Sequence, residues 1–483
     1  MTEEILNYIN GEWVESETGD TIAVENPSDT SDIVARCQQS NRVDAQDAVH
    51  AANQATDEWG ATPGPQRGSY LRQVGETLES QQDELTELLS REEGKTLREA
   101  GGEVQRAINI YYYYAEQARD FGGDVKPASG GDTHLYSKKV PLGVAALITP
   151  WNYPIAIPSW KIAPAIAAGN TVVFKPATQT PTIAKRIVEA FDEVDIPDGV
   201  INFVTGPGSE VGDTFITHDD VDAVSFTGSA EVGNMVYDQA TEDQKRVQCE
   251  MGGKNPTIVM PSADMEDAVK TVGYGAFGLT GQACTATSRA LVHEDIYDEF
   301  LEAIIDFAED LDVGPSLDGS HMGPHSSEGE LEGTLKYVEL GEEEGATLET
   351  GGEKLQDGEY ENGHFVSPAV FTDVDPDMRI AQEEIFGPVL CMIEISDYEE
   401  AVEIANDVKY GLSASILTND LREANRFKED IEAGVVKINQ QTTGVELHVP
   451  FGGFKQSSTN TYREQGEAGL EFFTSTKTVY ESY

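Results

Sequence analysis

Apolar residues recur at mixed three- and four-residue spacing from Arg42 to Trp59, Arg67 to Glu93 and Leu97 to Ala118, with polar residues between them. That period lays the apolar side chains along one stripe, so three amphipathic helices are predicted. Ahead of them, Tyr8-Ile9-Asn10-Gly11-Glu12-Trp13 reads as two short strands around an Asn-Gly hairpin turn. The pattern then changes. Val144 to Ile148, Thr171 to Phe174, Val200 to Val204, Ala223 to Phe226 and Val247 to Met251 are short apolar runs, separated by helical periodicity such as that of Ala184 to Val194. Strand alternating with helix implies a parallel, doubly wound sheet, whose ligand lies beyond the carboxyl ends of the strands. Lys175, Gly206 and Gly228-Ser229 each follow such a strand, and Gly228-Ser229 opens a helix whose first N–H groups suit a pyrophosphate. Gly206-Pro207-Gly208-Ser209-Glu210-Val211-Gly212 departs by one residue from the usual GxGxxG fingerprint. A second alternation runs from about Met265 to Leu417, while Thr133 to Lys139 and Ser475 to Tyr483 are extended and have no place in either core.

Composition narrows the class. The chain has 483 residues, more than one ordinary core accommodates, and 39% of them are hydrophobic, which suits two large globular lobes. There are 87 acidic against 32 basic residues, a formal charge of −55 spread along the chain. Such a surface repels a phosphate backbone and excludes nucleic acid as a partner. Disorder is excluded by 8% aromatic residues and recurrent apolar runs. The expectation is a halophilic cytoplasm, where molar salt screens repulsion to within roughly 3 Å. Cys37, Cys249, Cys284 and Cys391 have no paired spacing, so neither disulfides nor a zinc ribbon is expected. No metal is expected at His321 and His325, because Gly323 and Pro324 break the helix they would need. The acidic start Met1-Thr2-Glu3-Glu4 is unlike a signal peptide. Val140 to Trp160 is uncharged, but Pro141, Pro150, Pro154 and Pro158 interrupt it, so it reads as buried core and not a membrane span.

The chemistry centres on Cys284, in Gly281-Gln282-Ala283-Cys284-Thr285-Ala286-Thr287-Ser288-Arg289, which follows Glu250-Met251-Gly252-Gly253-Lys254 by thirty-four residues. A thiol among small polar residues attacks a carbonyl carbon, provided its thiolate is favoured and a base later activates water. Glu250 is the candidate base. Asn152, held between prolines in Pro150-Trp151-Asn152-Tyr153-Pro154, offers an amide to an oxyanion.

With Phe226-Thr227-Gly228-Ser229, Glu383-Glu384-Ile385-Phe386-Gly387-Pro388 and Pro450-Phe451-Gly452-Gly453-Phe454-Lys455, these motifs resemble, in order and spacing from about Tyr8 to Tyr480, the NAD(P)-dependent aldehyde dehydrogenase superfamily. The resemblance implies an α/β fold with a Rossmann-type cofactor domain (1–122 and 142–252), an α/β catalytic domain (253–458), oligomerisation strands (123–141 and 472–483) and a return segment (459–471). It implies that Cys284 forms a thiohemiacetal and then a thioester, that Asn152 and the Cys284 N–H stabilise the oxyanion, and that Glu250 activates the hydrolytic water. Trp151, Asn152, Gly228, Ser229 and Met251 are then expected around the cofactor, with Glu384 and Phe386 at the nicotinamide ribose and ring, Lys175 at the adenosine ribose, and Glu464 as a proton relay to Glu250. Outside this framework Glu384 reads as a helix-start carboxylate, Lys175 as a surface lysine and Glu464 as a cap. A CoA-acylating dehydrogenase, a non-catalytic relative and an acidic scaffold are the competing classes; the first would not need Glu250 as a base for water, and the other two do not account for the joint presence of nucleophile, base and amide.

Residues that favour succinate semialdehyde in the superfamily are replaced here by Trp160 and Gly278, and Ala283 stands where a phosphorylated substrate calls for Arg. The text around Cys284 and from Ser457 to Gly466 is similar to the 2,5-dioxopentanoate (α-ketoglutarate semialdehyde) dehydrogenases of pentose and sugar-acid breakdown; a broad-range aldehyde dehydrogenase is the alternative. Lys175-Pro176-Ala177-Thr178 has Thr178 where the superfamily often has Glu, so NADP is expected at least as readily as NAD. The alternative is that Thr178 caps the next helix. A homodimer or homotetramer is expected.

Overall fold

Alternate residues of the buried strands face opposite layers, and this period of two organises the first half of the molecule. Ala145, Leu147, Val172 and Phe174 join one core, while Val144, Ala146, Val173 and Val224 join another on the opposite face. In the computed structural model, which describes residues 2–482 and so leaves Met1 and Tyr483 of the predicted terminal segments outside, these strands form a seven-stranded sheet. Its order is Arg246–Glu250, Ala223–Thr227, Val144–Ile148, Thr171–Lys175, Ile201–Phe203, Asn7–Ile9 and Glu12–Val14. The first five are parallel and the predicted hairpin forms the antiparallel edge. From Val144–Ile148 the chain winds outward on one side, then returns to place Ala223–Thr227 on the other. That reversal opens a crevice at the carboxyl ends of these two strands.

A second seven-stranded sheet has the order Thr347–Thr350, Ala369–Thr372, Val389–Ile395, Thr287–His293, Asn255–Val259, Ser413–Leu417 and Val435–Ile438. All its pairings are parallel except the first. Only Met251 to Lys254 separate the last strand of the first sheet from the first strand of the second.

The helices begin where side chains satisfy their first N–H groups. Asn41 and Asp44 form a reciprocal capping box at Arg42–Ala61, and Thr96 and Glu99 do so at Leu97–Asp120. The long helix predicted from Arg67 to Glu93 is instead two, Gly64–Ser80 and Gln82–Glu93, broken at Gln81. No glycine or proline marks the break; Ser80 Oγ donates to the Thr77 carbonyl, the kind of local bond that competes with helix continuation. Within the uncharged stretch the helix Ala156–Ala168 is buried at every position. Among the described residues no helix is long and apolar enough to cross a membrane. The extended segments pair with each other: Thr133–Pro141 and Thr474–Ser482 run antiparallel over nine residue pairs, with Val125–Lys126 on the other edge.

Candidate active site

The crevice at the strand reversal continues toward the second sheet as a cavity lined by Pro150, Trp151, Asn152, Ile157, Thr227, Gly228, Ser229, Met251, Gly252, Cys284, Glu330, Glu384 and Phe386. Segments more than two hundred residues apart therefore meet at one place. Phe386 adopts a left-handed φ of 60°, and its ring meets Trp151 edge-on with centroids 5.5 Å apart. A side chain at Gly252 would collide with Glu384, whose carboxylate oxygen lies 1.8 Å from the position of the added Cβ. Glu384 Oε1 instead accepts the Gly253 N–H at 3.1 Å. The carboxyl is buried, which raises its pKa to about 7. It follows the short helix Arg379–Gln382 and starts none, so the helix-start alternative is set aside.

Leu279 and Thr280, with φ of 54° and 56°, bend the chain just before the nucleophile segment. Asn255 Nδ2 then holds the Cys284 carbonyl at 2.9 Å. Asn152 Nδ2 donates to the Gln282 carbonyl at 2.9 Å, which fixes the amide beside Cys284 and leaves its second N–H for another acceptor. The cavity does not favour the thiolate by itself. Desolvation, followed by the charges of Glu384, Glu250 and Glu464, pushes the Cys284 thiol up to about 12, so a base must take its proton.

Glu250 ends the strand Arg246–Glu250 and does not line the cavity. Its carboxylate is turned toward Gly453 N–H and Ser458 Oγ, each at 3.0 Å. Burial and the neighbouring Glu464 raise its pKa well above the ordinary carboxylate range. Glu464 does not cap a helix; it forms a buried ion pair with Lys161, whose Nζ also donates to Ser225 Oγ at 2.8 Å. Glu464 and Glu250 are thus electrostatic neighbours, as a relay and its base would need to be, and the Lys161 link is one that sequence reading missed.

Ser229 is the N-cap of Ala230–Glu242 and its Oγ accepts the Val232 N–H. Lys175 is buried and not a surface lysine; it donates to its neighbour Pro176 O at 3.1 Å, and desolvation lowers its pKa to about 8. Thr178 lines a separate cavity with Thr30, Gln179 and Ser327, and the cap position of the following helix, Pro181–Glu193, is Thr180. The capping alternative for Thr178 is therefore corrected. Glu330, missed in the sequence, reaches the cavity from the first turn of Glu328–Glu344; its Ser327-x-x-Glu330 pattern signals a helix start but not where that start points. Cys249 is free and buried in the strand beside Glu250. His325 is buried with Nε2 2.6 Å from Thr334 Oγ1, while His321 lines another cavity.

Behind the Asn152 turn lies a buried charge cluster that no motif announced. Lys95 Nζ reaches Glu103 at 2.5 Å and the Asn152 carbonyl at 2.7 Å, with Glu93 3.6 Å away. The other oxygen of Glu103 accepts the Ile155 and Ala156 N–H groups at 3.1 Å, at the start of the buried helix. The Asn152 amide, the expected oxyanion donor, is thus carried on a backbone held by an ion pair.

The sequence matches the model of the aldehyde dehydrogenase family over residues 13–479. It is 60% identical over the full length of both chains to an α-ketoglutarate semialdehyde dehydrogenase of Haloferax volcanii. Identity to a 2,5-dioxopentanoate dehydrogenase of Saccharolobus solfataricus is 42%, covering 98% of each chain. A crystal structure of betaine aldehyde dehydrogenase from Staphylococcus aureus in complex with NAD+ superimposes with a TM-score of 0.96 at 36% identity, covering 99% of this chain and 94% of that one. The chain belongs to the aldehyde dehydrogenase family and is an NAD(P)-dependent oxidoreductase acting on aldehydes.

Proposed function

We propose that the enzyme oxidises 2,5-dioxopentanoate to 2-oxoglutarate in pentose or sugar-acid breakdown, using NADP at least as well as NAD, as a homo-oligomer in a salt-rich cytoplasm. The observation that carries the reading is the convergence of Cys284, Asn152, Glu384 and Phe386 on one cavity at the strand reversal, in a chain so similar to relatives named for this substrate. The dinucleotide fits the same crevice: Thr227 Oγ1 is buried with no partner among the described residues, and Ser229 begins a helix there. Gly228 and Ser229, at the helix start, would hold its pyrophosphate, Glu384 and Phe386 its nicotinamide ribose and ring with Trp151 and Met251 beside them, and Lys175 and Thr178 its adenosine half. When bound, it supplies the hydride acceptor for the oxidation.

The chain's own groups carry the remaining steps. Cys284 loses its proton to Glu250, directly or through water, and its sulfur adds to the aldehyde carbon. The resulting oxyanion is met by the Asn152 amide and the Cys284 N–H. After oxidation to the thioester, Glu250 takes a proton from water, hydroxide adds to the acyl carbon, and the C–S bond breaks to release the acid while the departing sulfur takes that proton from Glu250 to restore the thiol. Glu464 accepts the proton that Glu250 sheds. We retain the division into a cofactor domain (1–122, 142–252), a catalytic domain (253–458), a return segment (459–471) and oligomerisation strands (123–141, 472–483). Exposed Val125 and Tyr480 on that outer sheet support its use between subunits.

The test is kcat/KM for 2,5-dioxopentanoate, succinate semialdehyde and valeraldehyde with each cofactor in molar KCl. Preference for either of the other aldehydes overturns the substrate assignment in favour of a broader enzyme. For the cofactor, Thr178→Glu should weaken NADP selectively, because a carboxylate there repels the 2′-phosphate; an unchanged NADP/NAD ratio counts against the assignment.

A further inference from the structure

Arg106 is a partly buried cation with no carboxylate of its own. It lies on the helix Leu97–Asp120, where one terminal nitrogen donates to the Val445 carbonyl and the other to Gln465 Oε1 at 2.7 Å. A guanidinium has five N–H groups; the rest have no protein partner among the described residues. The acids nearest to it are engaged or in solvent: Glu103 is taken by Lys95 and two backbone N–H groups, and Glu446 is exposed beside His448. Desolvation lowers the pKa of Arg106 in spite of the opposing charges of Tyr153, Glu446 and Glu103.

Two further donors belong to the residues it touches. The guanidinium carbon sits 5.6 Å from the centre of the Trp160 ring. Trp160 Nε1 and Gln465 Nε2 are both buried and donate to nothing among the described residues. Buried donors are seldom left unpaired, so a cation grouped with two orphaned N–H donors describes a place for a two-oxygen anion.

The location is right for the far end of a substrate. Ile157 lines the cavity of Cys284, and Trp160 follows three residues later on the same face of the buried helix. Tyr153, next to Asn152, lies within electrostatic range of both the Cys284 sulfur and the Arg106 guanidinium. Phe451 packs against Trp160 with ring centroids 6.1 Å apart.

We propose that Arg106, Trp160 Nε1 and Gln465 Nε2 form the subsite for the distal carboxylate of a keto-acid aldehyde, an assignment that rests on the substrate reading above. The competing cation is Arg98, which lines a separate cavity with Tyr153, Leu279 and Thr443. It is exposed to solvent, where a charge contact is worth little.

The experiment compares kcat/KM for 2,5-dioxopentanoate and for uncharged valeraldehyde in molar KCl, with melting temperatures for every variant. Arg106→Met should lower the value for the keto acid about 10- to 100-fold, mainly through KM, with a far smaller loss on valeraldehyde. Trp160→Phe, which keeps an aromatic ring but removes the indole N–H together with part of the buried ring, should lower the keto-acid value by about threefold to tenfold more than the valeraldehyde value. Arg106→Lys should recover part of the loss, since it keeps the charge but not the fork. These two milder variants decide the matter if Arg106→Met does not assemble. Equal losses on both aldehydes, no loss, or loss of discrimination in Arg98→Gln instead would overturn the subsite. A wild type that does not prefer the keto acid sinks the substrate reading itself, whereas a preference that survives in Arg106→Met sinks only the subsite.

Discussion

At Cys284 and Glu250, the proposed nucleophile and base, burial and neighbouring carboxylates hold both side chains toward their protonated forms. Cys284→Ala should abolish aldehyde oxidation, and substantial residual turnover would refute the covalent route. Glu250→Gln should slow both the burst of reduced cofactor, which needs the Cys284 proton removed, and the release of acid, as stopped-flow absorbance would show. A burst at the wild-type rate would mean that another base deprotonates Cys284. Because burial raises its pKa, Glu250 is a competent base only above that value, so wild-type deacylation should quicken as pH rises through it and Glu250→Gln should lose that limb. At this scale the sequence was informative where chemistry sits in a compact motif, as with Cys284, Asn152, Glu384 and Phe386. It was silent where the partner is remote: Lys161 and Glu464 are 303 residues apart, and nothing local to Lys95 signals that it grips the Asn152 turn.

Among the elements, Pro181–Glu193 shows how a helix end is satisfied from elsewhere in the chain. Its cap residue Thr180 makes no side-chain bond, and the Thr182 and Ile183 N–H groups are accepted by Glu92 at 2.6 and 2.8 Å. Burial lifts the pKa of Glu92 from 4.5 to about 7 in spite of those bonds. The folded chain therefore binds this proton more tightly than the unfolded chain, so the stabilisation is complete below about 4.5 and is lost as pH rises through about 7. Glu92→Gln should flatten the decline of melting temperature over that window; an unchanged slope would show that Glu92 does not titrate there. Periodicity gave the strands and helices of both sheets because each buries a regular face. It overran Gln81, where the apolar stripe continues although the backbone does not. Helix ends capped by remote side chains leave no such trace.

For the whole molecule, the formal charge of −55 dominates. Lowering salt to 0.01 M extends the screening length to about 30 Å, so carboxylates across the proposed subunit contacts should then repel one another. Sedimentation and activity measured from dilute buffer to molar KCl should show dissociation and inactivation at the low end; an assembly intact and active throughout would refute the halophilic reading. Alternating strand and helix made the two sheets legible in outline, but not their joint. That joint is four residues long, Met251 to Lys254, and leaves the first sheet immediately after Glu250. Its Gly253 amide is satisfied by the Glu384 carboxylate, the same group proposed to take the nicotinamide ribose. A ribose that takes both oxygens of that carboxylate withdraws the acceptor from an amide at the crossing between the halves. In hydrogen–deuterium exchange Gly253 should then lose protection on cofactor binding while the strands on either side keep theirs, making this one amide a solvent-readable gauge of occupancy.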